Sequence, residues 1–367
     1  MKCLHILPMN KLSGAEKMAL LICKNMKEYE SIVVCGGEDL KSIFEKEGVK
    51  SYALDFSNKN ILKTIFGLKK IMKENDIKIL HAHDNNASLT AYLTKKLCRG
   101  NIKVVSHIHN CYPWLKSNGV NKKIDSFFRP RYDYNIACGN LVYDFYKKNT
   151  TYFDEEKTKI LSNAIDSKKI YKVKSYYKDN LFKKYNIPKN KTVIGFIGRI
   201  DEQKGIIPFI KEISKKKERF RDCKILLIGS GNQESEVRNL LKELNIEELF
   251  ILTGFQEDVY KFYPLIDIFF LPSLYEGLPM VILEAMAFKK PIISMNVGSI
   301  REVIRNNNTG ILIENNSISD FISELEKLKN NKDLQDKLSN NACKYINENF
   351  DINSYIDRLS EIYKIII

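Results

Sequence analysis

Features that would mark a membrane-spanning or disulfide-bonded protein are missing from this sequence of 367 residues. No uninterrupted apolar run reaches the roughly 18 residues that a transmembrane helix needs. The apolar run at the N-terminus is short, is interrupted by Pro8 and lacks the cleavage site of a signal peptide. The eight cysteines are scattered without a Cys-x-x-Cys pair. We therefore expect reduced thiols in a cytoplasmic protein, and neither a disulfide framework nor a zinc site.

Nucleotide hydrolysis of the P-loop type is also unsupported, because the motif Gly-x-x-x-x-Gly-Lys-Ser/Thr does not occur. The composition, with 44% hydrophobic and 28% charged residues, is that of a soluble globular protein. The length exceeds what one ordinary hydrophobic core organises, so two domains are expected.

Positive charge is present in excess and is unevenly distributed. The net charge is +14, and the segment from Lys59 to Arg131 alone holds 15 basic and 4 acidic residues. A lysine-rich surface would explain this excess without any function. The functional alternatives are an anionic membrane surface and a nucleic acid. A nucleic-acid partner is not expected, because no RNA- or DNA-binding motif accompanies the charge.

Short β-type runs alternate with helical segments in both halves of the chain, which predicts an α/β protein with parallel sheets and helices on both sheet faces. The predicted strands of the first half are 2–7, 31–35, 51–54, 77–82, 103–107 and 134–137, and its predicted helices are 15–27, 40–46, 61–73 and 87–97. The predicted strands of the second half are 192–197, 224–228, 250–253, 266–271, 291–294 and 310–313. Ligands of such sheets bind at the carboxyl ends of the strands.

The stretch from Phe269 to Ala285 predicts a strand, a loop that carries Glu276, and a helix that begins near Pro279 and contains Glu284. Proline suits the first turn of a helix, where an amide hydrogen has no partner within the helix. The remaining amides at such a start attract an anion. A carboxylate beside an anion site is typical of a polyol ligand that is attached to the anion, either a sugar or a ribose.

Two cations flank a turn at the end of another predicted strand. Arg199 and Lys204 lie between Gly198 and Gly205, and their convergence suits a diphosphate. The motif Gly229-Ser230-Gly231 ends the next strand and would allow close approach of a ligand to the backbone.

Two His-x-His pairs, His81/His83 and His107/His109, end neighbouring predicted strands. A metal is not expected there, because no carboxylate or cysteine set completes a ligand shell. Side chains that reach a sugar hydroxyl or a phosphate are the favoured interpretation, with core or capping roles open for His81 and His107.

Two basic segments are candidates for membrane contact. The segment 59–73 predicts an amphipathic helix, which could also be an ordinary surface helix packed on the sheet. The segment 112–131 combines the only tryptophan with Phe127, Phe128 and five basic residues. This combination suits a bilayer interface or a lipid-linked ligand, and it would also suit single-stranded nucleic acid.

Together these motifs resemble the retaining nucleotide-sugar glycosyltransferases of family four (group 1), of the bacterial capsule and exopolysaccharide type, over nearly the whole chain. The resemblance rests on Arg199 and Lys204, on the Glu-x7-Glu pattern of Glu276 and Glu284, and on Gly298 followed by Glu302. Gly14-Ala15-Glu16, His109 and Asn163-Ala164-Ile165-Asp166 also match the pattern of the family. It implies the GT-B fold, in which two Rossmann-like doubly wound domains face each other across a cleft.

The resemblance implies a role for each matching residue. The catalytic group would comprise Arg199 and Lys204 on the donor diphosphate, Glu276 on the donor sugar, and His109 near the reacting sugar. Glu284 would bind the ribose. The further donor-binding residues implied by the family are Gly14, Gly198, Gly254, Phe255, Gly277, Leu278 and Met280. Pro279 departs from many members, because it has no amide hydrogen to donate.

The resemblance also implies the domain organisation and the activity. Residues 1–168 would form the acceptor-binding domain, onto which a C-terminal helix at about 350–367 returns, and residues 169–349 the donor-binding domain. We expect transfer of a hexose or N-acetylhexosamine, with retention and without a metal or other cofactor, from a UDP-linked donor. The acceptor would be lipid-linked or an oligosaccharide. The excess of positive charge between Lys59 and Arg131 leads us to expect a location at the inner face of the plasma membrane. The alternatives are a GT-B sugar-nucleotide epimerase and a non-catalytic nucleotide-sugar-binding partner subunit, and no oligomeric state is predicted.

Overall fold

The structure of the protein is a computed structural model that describes residues 1–173, 176–314 and 317–367. The chain divides into two units. Unit 1 comprises residues 1–164 and 352–367, and unit 2 comprises residues 165–351. Each unit is built on one parallel β-sheet.

Unit 1 contains a seven-stranded sheet in the order β3-β2-β1-β4-β5-β6-β7. Its strands are β1 (Lys2–Leu7), β2 (Glu30–Cys35), β3 (Ser51–Ala53), β4 (Ile77–Ala82), β5 (Lys103–Ile108), β6 (Tyr134–Ala137) and β7 (Thr158–Ile160). Its helices before residue 164 are α1 (Gly14–Asn25), α2 (Glu38–Lys46), α3 (Ile61–Asn75), α4 (Asn85–Lys96), α5 (Val120–Phe128) and α6 (Asn140–Asn149). Short 3₁₀ turns occupy Asn58–Asn60, Pro113–Lys116 and Arg129–Arg131.

The strands of unit 1 alternate their apolar side chains between two covered faces, as expected for a parallel sheet that is buried on both sides. On one face Leu4 and Leu80 pack with Leu68 of α3 and Ala91 of α4. This arrangement shows that the apolar stripe of α3 lies against the sheet. On the other face Cys3 and Ile79 pack with α1 and with the last helix of the chain.

Unit 2 contains a six-stranded sheet in the order β10-β9-β8-β11-β12-β13. Its strands are β8 (Thr192–Ile197), β9 (Cys223–Ile228), β10 (Phe250–Leu252), β11 (Ile268–Leu271), β12 (Ile292–Met295) and β13 (Ile311–Ile313). Its helices are α7 (Ser167–Tyr171), α8 (Tyr176–Lys184), α9 (Ile206–Ser214), α10 (Glu234–Glu243), α11 (Met280–Ala287), α12 (Ile300–Val303), α13 (Ile318–Lys329) and α14 (Lys332–Asn349). Its 3₁₀ turns are Glu202–Lys204, Lys217–Phe220, Glu247–Leu249 and Val259–Leu265.

The last helix, α15 (Ile352–Ile366), belongs to unit 1 although it follows unit 2 in the chain. Its buried residues Tyr355, Leu359 and Tyr363 lie in the same apolar cluster as Cys3 of β1. The C-terminus of the chain therefore completes the core of the N-terminal sheet. Among the residues that the structure describes, none of the helices has both the length and the apolar content needed to cross a bilayer.

Candidate functional site

The candidate site of unit 2 lies at the carboxyl edge of its sheet, where the loops after β8 and β11 meet. Gly205 has a φ of +66°, and a Cβ atom there would lie 2.3 Å from the carbonyl oxygen of Pro272. Only glycine accepts both this conformation and this close approach. The backbone amide of Leu274 donates to the carbonyl oxygen of Gln203 over 2.8 Å, which ties the two loops together.

Two of the sequence-predicted catalytic residues form a largely buried ion pair between these loops. Lys204 Nζ lies 2.5 Å from Glu276 Oε1, and the side chains are 12% and 5% exposed. The hydroxyl of Ser273 donates to the same oxygen over 2.7 Å. Within the described part of the chain, no hydrogen bond is formed to Glu276 Oε2. The site thus holds a cation and a carboxylate together and keeps one carboxylate oxygen for a further donor.

Arg199 is the exposed member of the predicted group. Its side chain is 68% exposed, and its guanidinium lies 3.2 Å from Asp201. It also donates to the side-chain oxygen of Gln203 over 3.0 Å, and Gln203 in turn donates to the carbonyl oxygen of Tyr275 over the same distance. The guanidinium of Arg199 therefore remains accessible to solvent, and Gln203 links it to the loop that carries Glu276.

Glu284 lies inside unit 2 and is fully buried in α11. The hydroxyl of Tyr263 donates to Glu284 Oε2 over 2.8 Å. Burial and the neighbouring carboxylate raise the pKa values of Tyr260 and Tyr263 well above their usual range, so both tyrosines stay protonated donors. These tyrosines were not among the residues predicted from the sequence. Both tyrosines lie on the 3₁₀ turn immediately before β11, the strand that leads to the loop with Glu276. This position in the sequence could have identified them.

The remaining donor-binding predictions fall on backbone positions or on an exposed side chain. Gly198 follows β8, and its amide donates to the carbonyl oxygen of Ile228 over 3.0 Å. Leu278 and Met280 are buried side chains, so only their backbone could meet a ligand. The carbonyl oxygen of Gly277 accepts from the amide of Ser299 over 3.0 Å.

The end of β10 presents the other predicted pair. Gly254 has a φ of +69°, and its carbonyl oxygen accepts from the amide of Gly229 over 3.0 Å. Phe255 is 71% exposed, which is a high exposure for a phenyl side chain. The helix α11 begins after Pro279, which occupies its N-cap position without an amide hydrogen.

In unit 1, Gly14 is the first residue of α1 and is exposed. Ser13 and Glu16 form a capping box there, which fixes the start of the helix. Glu16 is 2% exposed although its side chain is acidic. The glycine predicted to approach a ligand therefore stands at a well-anchored helix start.

All five histidines of the chain meet at the carboxyl side of β1, β4 and β5. His5 Nδ1 lies 3.1 Å from His83 Nε2, and His83 Nδ1 lies 3.2 Å from His109 Nε2. His81 Nε2 lies 3.2 Å from His107 Nδ1. His81 and His83 also stack with ring centroids 4.4 Å apart. The two His-x-His pairs and His5 therefore form one cluster, which was not predicted from the sequence.

Burial keeps these imidazoles neutral. It lowers the pKa of His5 to about 3 and that of His109 to about 4, and it lowers the pKa values of the other three well below the usual range. Two sets of three nitrogens lie within 4.8 Å of one another, a spacing that could hold a metal ion. Each close nitrogen pair nevertheless has the length of a hydrogen bond, and one shared proton accounts for it.

The two units and these sites define a class, the two-domain GT-B transferases that act on activated sugars. The model of the family Glycosyl transferases group 1 matches residues 177–345, and that of Glycosyltransferase Family 4 matches residues 12–169. The chain belongs to the group 1, family 4 glycosyltransferases. The predicted α/β fold class, with two Rossmann-like doubly wound domains, is confirmed.

Known proteins resemble the chain over all or part of its length at low identity. The UDP-Gal:alpha-D-GlcNAc-diphosphoundecaprenol alpha-1,3-galactosyltransferase of Escherichia coli is 22% identical, over 99% of this chain and 96% of the relative. The capsular polysaccharide biosynthesis glycosyltransferase CapM of Staphylococcus aureus is 27% identical over 47% of this chain and 45% of its own length. The crystal structure of Anabaena HepE in complex with UDP-glucose has a TM-score of 0.87 at 18% identity and covers 99% of both chains.

Proposed function

We propose that this glycosyltransferase is a retaining enzyme that moves a hexose or N-acetylhexosamine from a UDP-sugar to a lipid-linked or oligosaccharide acceptor in surface polysaccharide synthesis. The observation that carries the proposal is the Lys204–Glu276 ion pair at the carboxyl edge of the unit 2 sheet. One end of the pair suits a diphosphate and the other suits sugar hydroxyls. The E. coli relative and HepE, whose names include UDP-Gal and UDP-glucose, support a UDP-linked donor.

In this proposal the donor diphosphate meets Arg199 and Lys204, which balance the charge that develops on the leaving group. No divalent cation takes part in that balance. Glu276 Oε2 accepts a hydrogen bond from a hydroxyl of the transferred sugar, while Oε1 stays with Lys204 and Ser273. The acceptor attacks from the face of the leaving group, and its proton passes to the departing phosphate. His109 contacts the reacting sugar.

Glu284 is assigned to the ribose hydroxyls, and Phe255 with Gly254 to the nucleobase. The support for the first role is the fixed carboxylate, which Tyr263 holds through Oε2. The support for the second is the bare phenyl ring beside a glycine turn at the end of β10. Gly14, Gly198, Gly277, Leu278 and Met280 contribute backbone that lets the donor approach closely.

The test combines a binding screen with one isosteric variant. Thermal shift against UDP- and GDP-sugars should show stabilisation by UDP-sugars, since a ligand stabilises only the folded state. Glu276→Gln should keep the contacts to Lys204 and Ser273 but lower transfer by roughly a hundredfold or more. The exposed Glu243→Gln on α10 is the matched control and should transfer normally. Full activity of Glu276→Gln would refute the role of that carboxylate, and loss of activity with EDTA would refute the metal-free donor site.

We further propose that the enzyme works on the inner face of the plasma membrane through the α3–α5 surface, which consists of five exposed apolar side chains. These side chains are Leu62, Phe66, Val120, Ile124 and Phe127. The inner sides of α3 and α5 pack against the same apolar cluster on one face of the unit 1 sheet, with α4 between the two helices. The segment that contains them carries 15 basic and 4 acidic residues. Apolar side chains among cations suit an anionic bilayer, at about 1 kcal/mol per basic residue near the surface.

The position of α5 is fixed from inside unit 1. The buried Arg129 donates through Nε to both carboxylate oxygens of Asp125 on α5, over 2.9 and 3.0 Å. It also donates to the side-chain oxygens of Asn85 and Asn135, over 2.6 and 3.1 Å. The ring of Tyr146 lies 4.7 Å from its guanidinium. This network supports a rigid presentation of the exposed face of α5.

Flotation with vesicles tests the membrane contact. The full chain should float with anionic vesicles at low salt and much less with neutral ones, and Leu62→Ser/Phe66→Ser should weaken flotation by about tenfold. Ile365→Ser removes a side chain that is 64% exposed outside the surface, and it should float like the native chain. Equal flotation with neutral and anionic vesicles would contradict the electrostatic mechanism.

A further inference from the structure

The five histidines form two hydrogen-bonded chains whose proton positions are interdependent. The first chain runs from Ser31 through His5 and His83 to His109, with contacts of 3.4, 3.1 and 3.2 Å. A neutral imidazole carries one N–H and one lone pair. Each nitrogen–nitrogen contact therefore holds a single proton, and the choice made at one ring dictates the choice at the next.

Only two proton arrangements satisfy the first chain. In one, His5, His83 and His109 all carry the proton on Nδ1, and each Nδ1–H donates to the Nε2 of the next ring. In the other, all three carry it on Nε2, and the donation runs from His109 back to Ser31. Because the rings are neutral, mixed arrangements place two protons or none in a contact of about 3 Å. Both allowed arrangements use His109 Nε2 for His83.

We infer that His109 contacts its ligand through Nδ1 and that His83 is a positioning residue. The hydrogen bond from His83 occupies Nε2 of His109 and couples the tautomer of His109 to that of His5. The inference rests on the proposed function insofar as His109 faces the reacting sugar. In the Nδ1–H arrangement His109 donates to a sugar oxygen, and in the Nε2–H arrangement it accepts from a hydroxyl. The two arrangements differ in the proton position at all three rings, so the tautomer of His109 is the same as that of His83 and His5 in either one.

The second chain gives an internal reference with a fixed direction. The Cys3 thiol donates to the Tyr363 hydroxyl over 3.4 Å, so the Tyr363 O–H points to His81 Nδ1 at 2.6 Å. His81 then donates from Nε2 to His107 Nδ1, which leaves the proton of His107 on Nε2. That nitrogen is buried without a partner among the described residues. Nothing in this chain depends on a hydrogen bond to His83.

Two variants with an amide side chain at position 83 test the two hydrogen bonds of His83 separately. Asparagine places its amide where Nδ1 of histidine lies, so His83→Asn keeps the bond to His109 and loses the bond to His5. Glutamine reaches the position of Nε2, so His83→Gln keeps the bond to His5 and loses the bond to His109. Because an amide offers both a donor and an acceptor, either variant serves both proton arrangements.

The experiment uses the full chain with ¹⁵N-labelled histidine, in which the two nitrogens of a neutral ring give well-separated signals. We expect one common tautomer for His5, His83 and His109, and the Nε2–H form for His107. In His83→Gln the tautomer of His109 should become mixed and kcat should fall by roughly tenfold, the effect of one lost hydrogen bond. In His83→Asn, kcat should stay within about threefold of the native value, and UDP affinity should be unchanged in both variants.

Different tautomers for His83 and His109 in the native chain would overturn the inference, even if neither variant folds. Equal kcat values for His83→Gln and His83→Asn would overturn it as well. His107 should remain in the Nε2–H tautomer in both variants, because its hydrogen bond to His81 does not involve His83. If the native chain transfers no sugar, the proposed function fails, and the nitrogen spectra still decide whether the chain of protons exists.

Discussion

The Lys204–Glu276 pair allows a quantitative test of how the candidate site is built. The two side chains are 12% and 5% exposed, with 2.5 Å between Nζ and Oε1. Removing one partner of a buried pair costs about 3–5 kcal/mol, because a charge is left without compensation. Lys204 keeps a little solvent contact, so we expect about 2–3 kcal/mol for Glu276→Leu and for Lys204→Met.

The double variant should recover most of this loss. With both charges gone, no buried charge remains, and Ser273 loses an acceptor at a cost of about 1 kcal/mol. The resulting coupling energy is at least about 2 kcal/mol. The stability would thus return while transfer stays abolished, as expected for a pair that is retained for its chemistry and not for the fold.

The control cycle uses a pair of the same chemistry and nearly the same length in unit 2. Lys215 Nζ lies 2.6 Å from Glu212 Oε2, but the lysine is 69% exposed. Its coupling should be about 0.2–0.5 kcal/mol. Urea-dependent hydrogen exchange of peptides from β8 and β11 measures unit 2 separately from unit 1. A coupling for Lys204–Glu276 no larger than that of the control would refute the argument from burial.

Three further predictions concern single side chains. Tyr363→Phe should lower the free energy of unfolding by about 1–3 kcal/mol, because His81 Nδ1 and the Cys3 thiol lose their partner. The control is Tyr355→Phe on the same helix. It should cost less than about 0.5 kcal/mol, since the Tyr355 hydroxyl has no partner among the described residues. Tyr263→Phe removes a donor to the buried Glu284 and should weaken UDP binding by about tenfold in calorimetry, whereas unchanged binding would argue against the ribose role. Burial raises the pKa of Asp84 to about 6, so the folded state binds the extra proton and stability falls as the pH rises from about 4 to 6. Asp84→Asn still caps α4 and should remove this fall, with a gain of roughly 1–2 kcal/mol at pH 7 after solvent screening; a melting-temperature difference that does not change with pH would contradict the assignment.

The strands were predictable because each is a short apolar run between polar turns. All twelve predicted strands correspond to strands of the structure, with ends that differ by at most two residues. β7 (Thr158–Ile160) was not predicted because its sequence Thr-Lys-Ile contains no apolar run. The sequence predicts an aromatic and basic segment in place of helix α5. The helix is not evident because its apolar residues Val120, Ile124 and Phe127 face solvent and Asp125 faces inward. A helix with exposed apolar residues and a buried acidic residue cannot be predicted from the usual amphipathic pattern.

The stripe of α3 was predicted in part. Ile65, Leu68 and Met72 pack inward as the periodicity suggests. Leu62 and Phe66 lie on the opposite side and are 68% and 61% exposed. The stripe predicted from the periodicity comprises Ile61, Ile65, Leu68 and Met72 and describes one side of this helix. The helix carries a second set of apolar side chains, which faces solvent. The choice between core packing and membrane contact was therefore a false alternative, since one helix can serve both.

The meeting of Lys204 and Glu276 follows from a general rule, whereas the meeting of the histidines does not. Both members of the first pair follow strands of one parallel sheet, and β8 and β11 are neighbours, so their loops share an edge. The sequence shows the histidines as two separate pairs and a single residue. Their union depends on the strand order β1-β4-β5, which brings His5 beside His81 and brings His107 beside His81 and His83. No spacing along the chain encodes that order. Because the order also decides which nitrogen of His109 is occupied, the chemistry of this residue is set by its neighbours in the sheet.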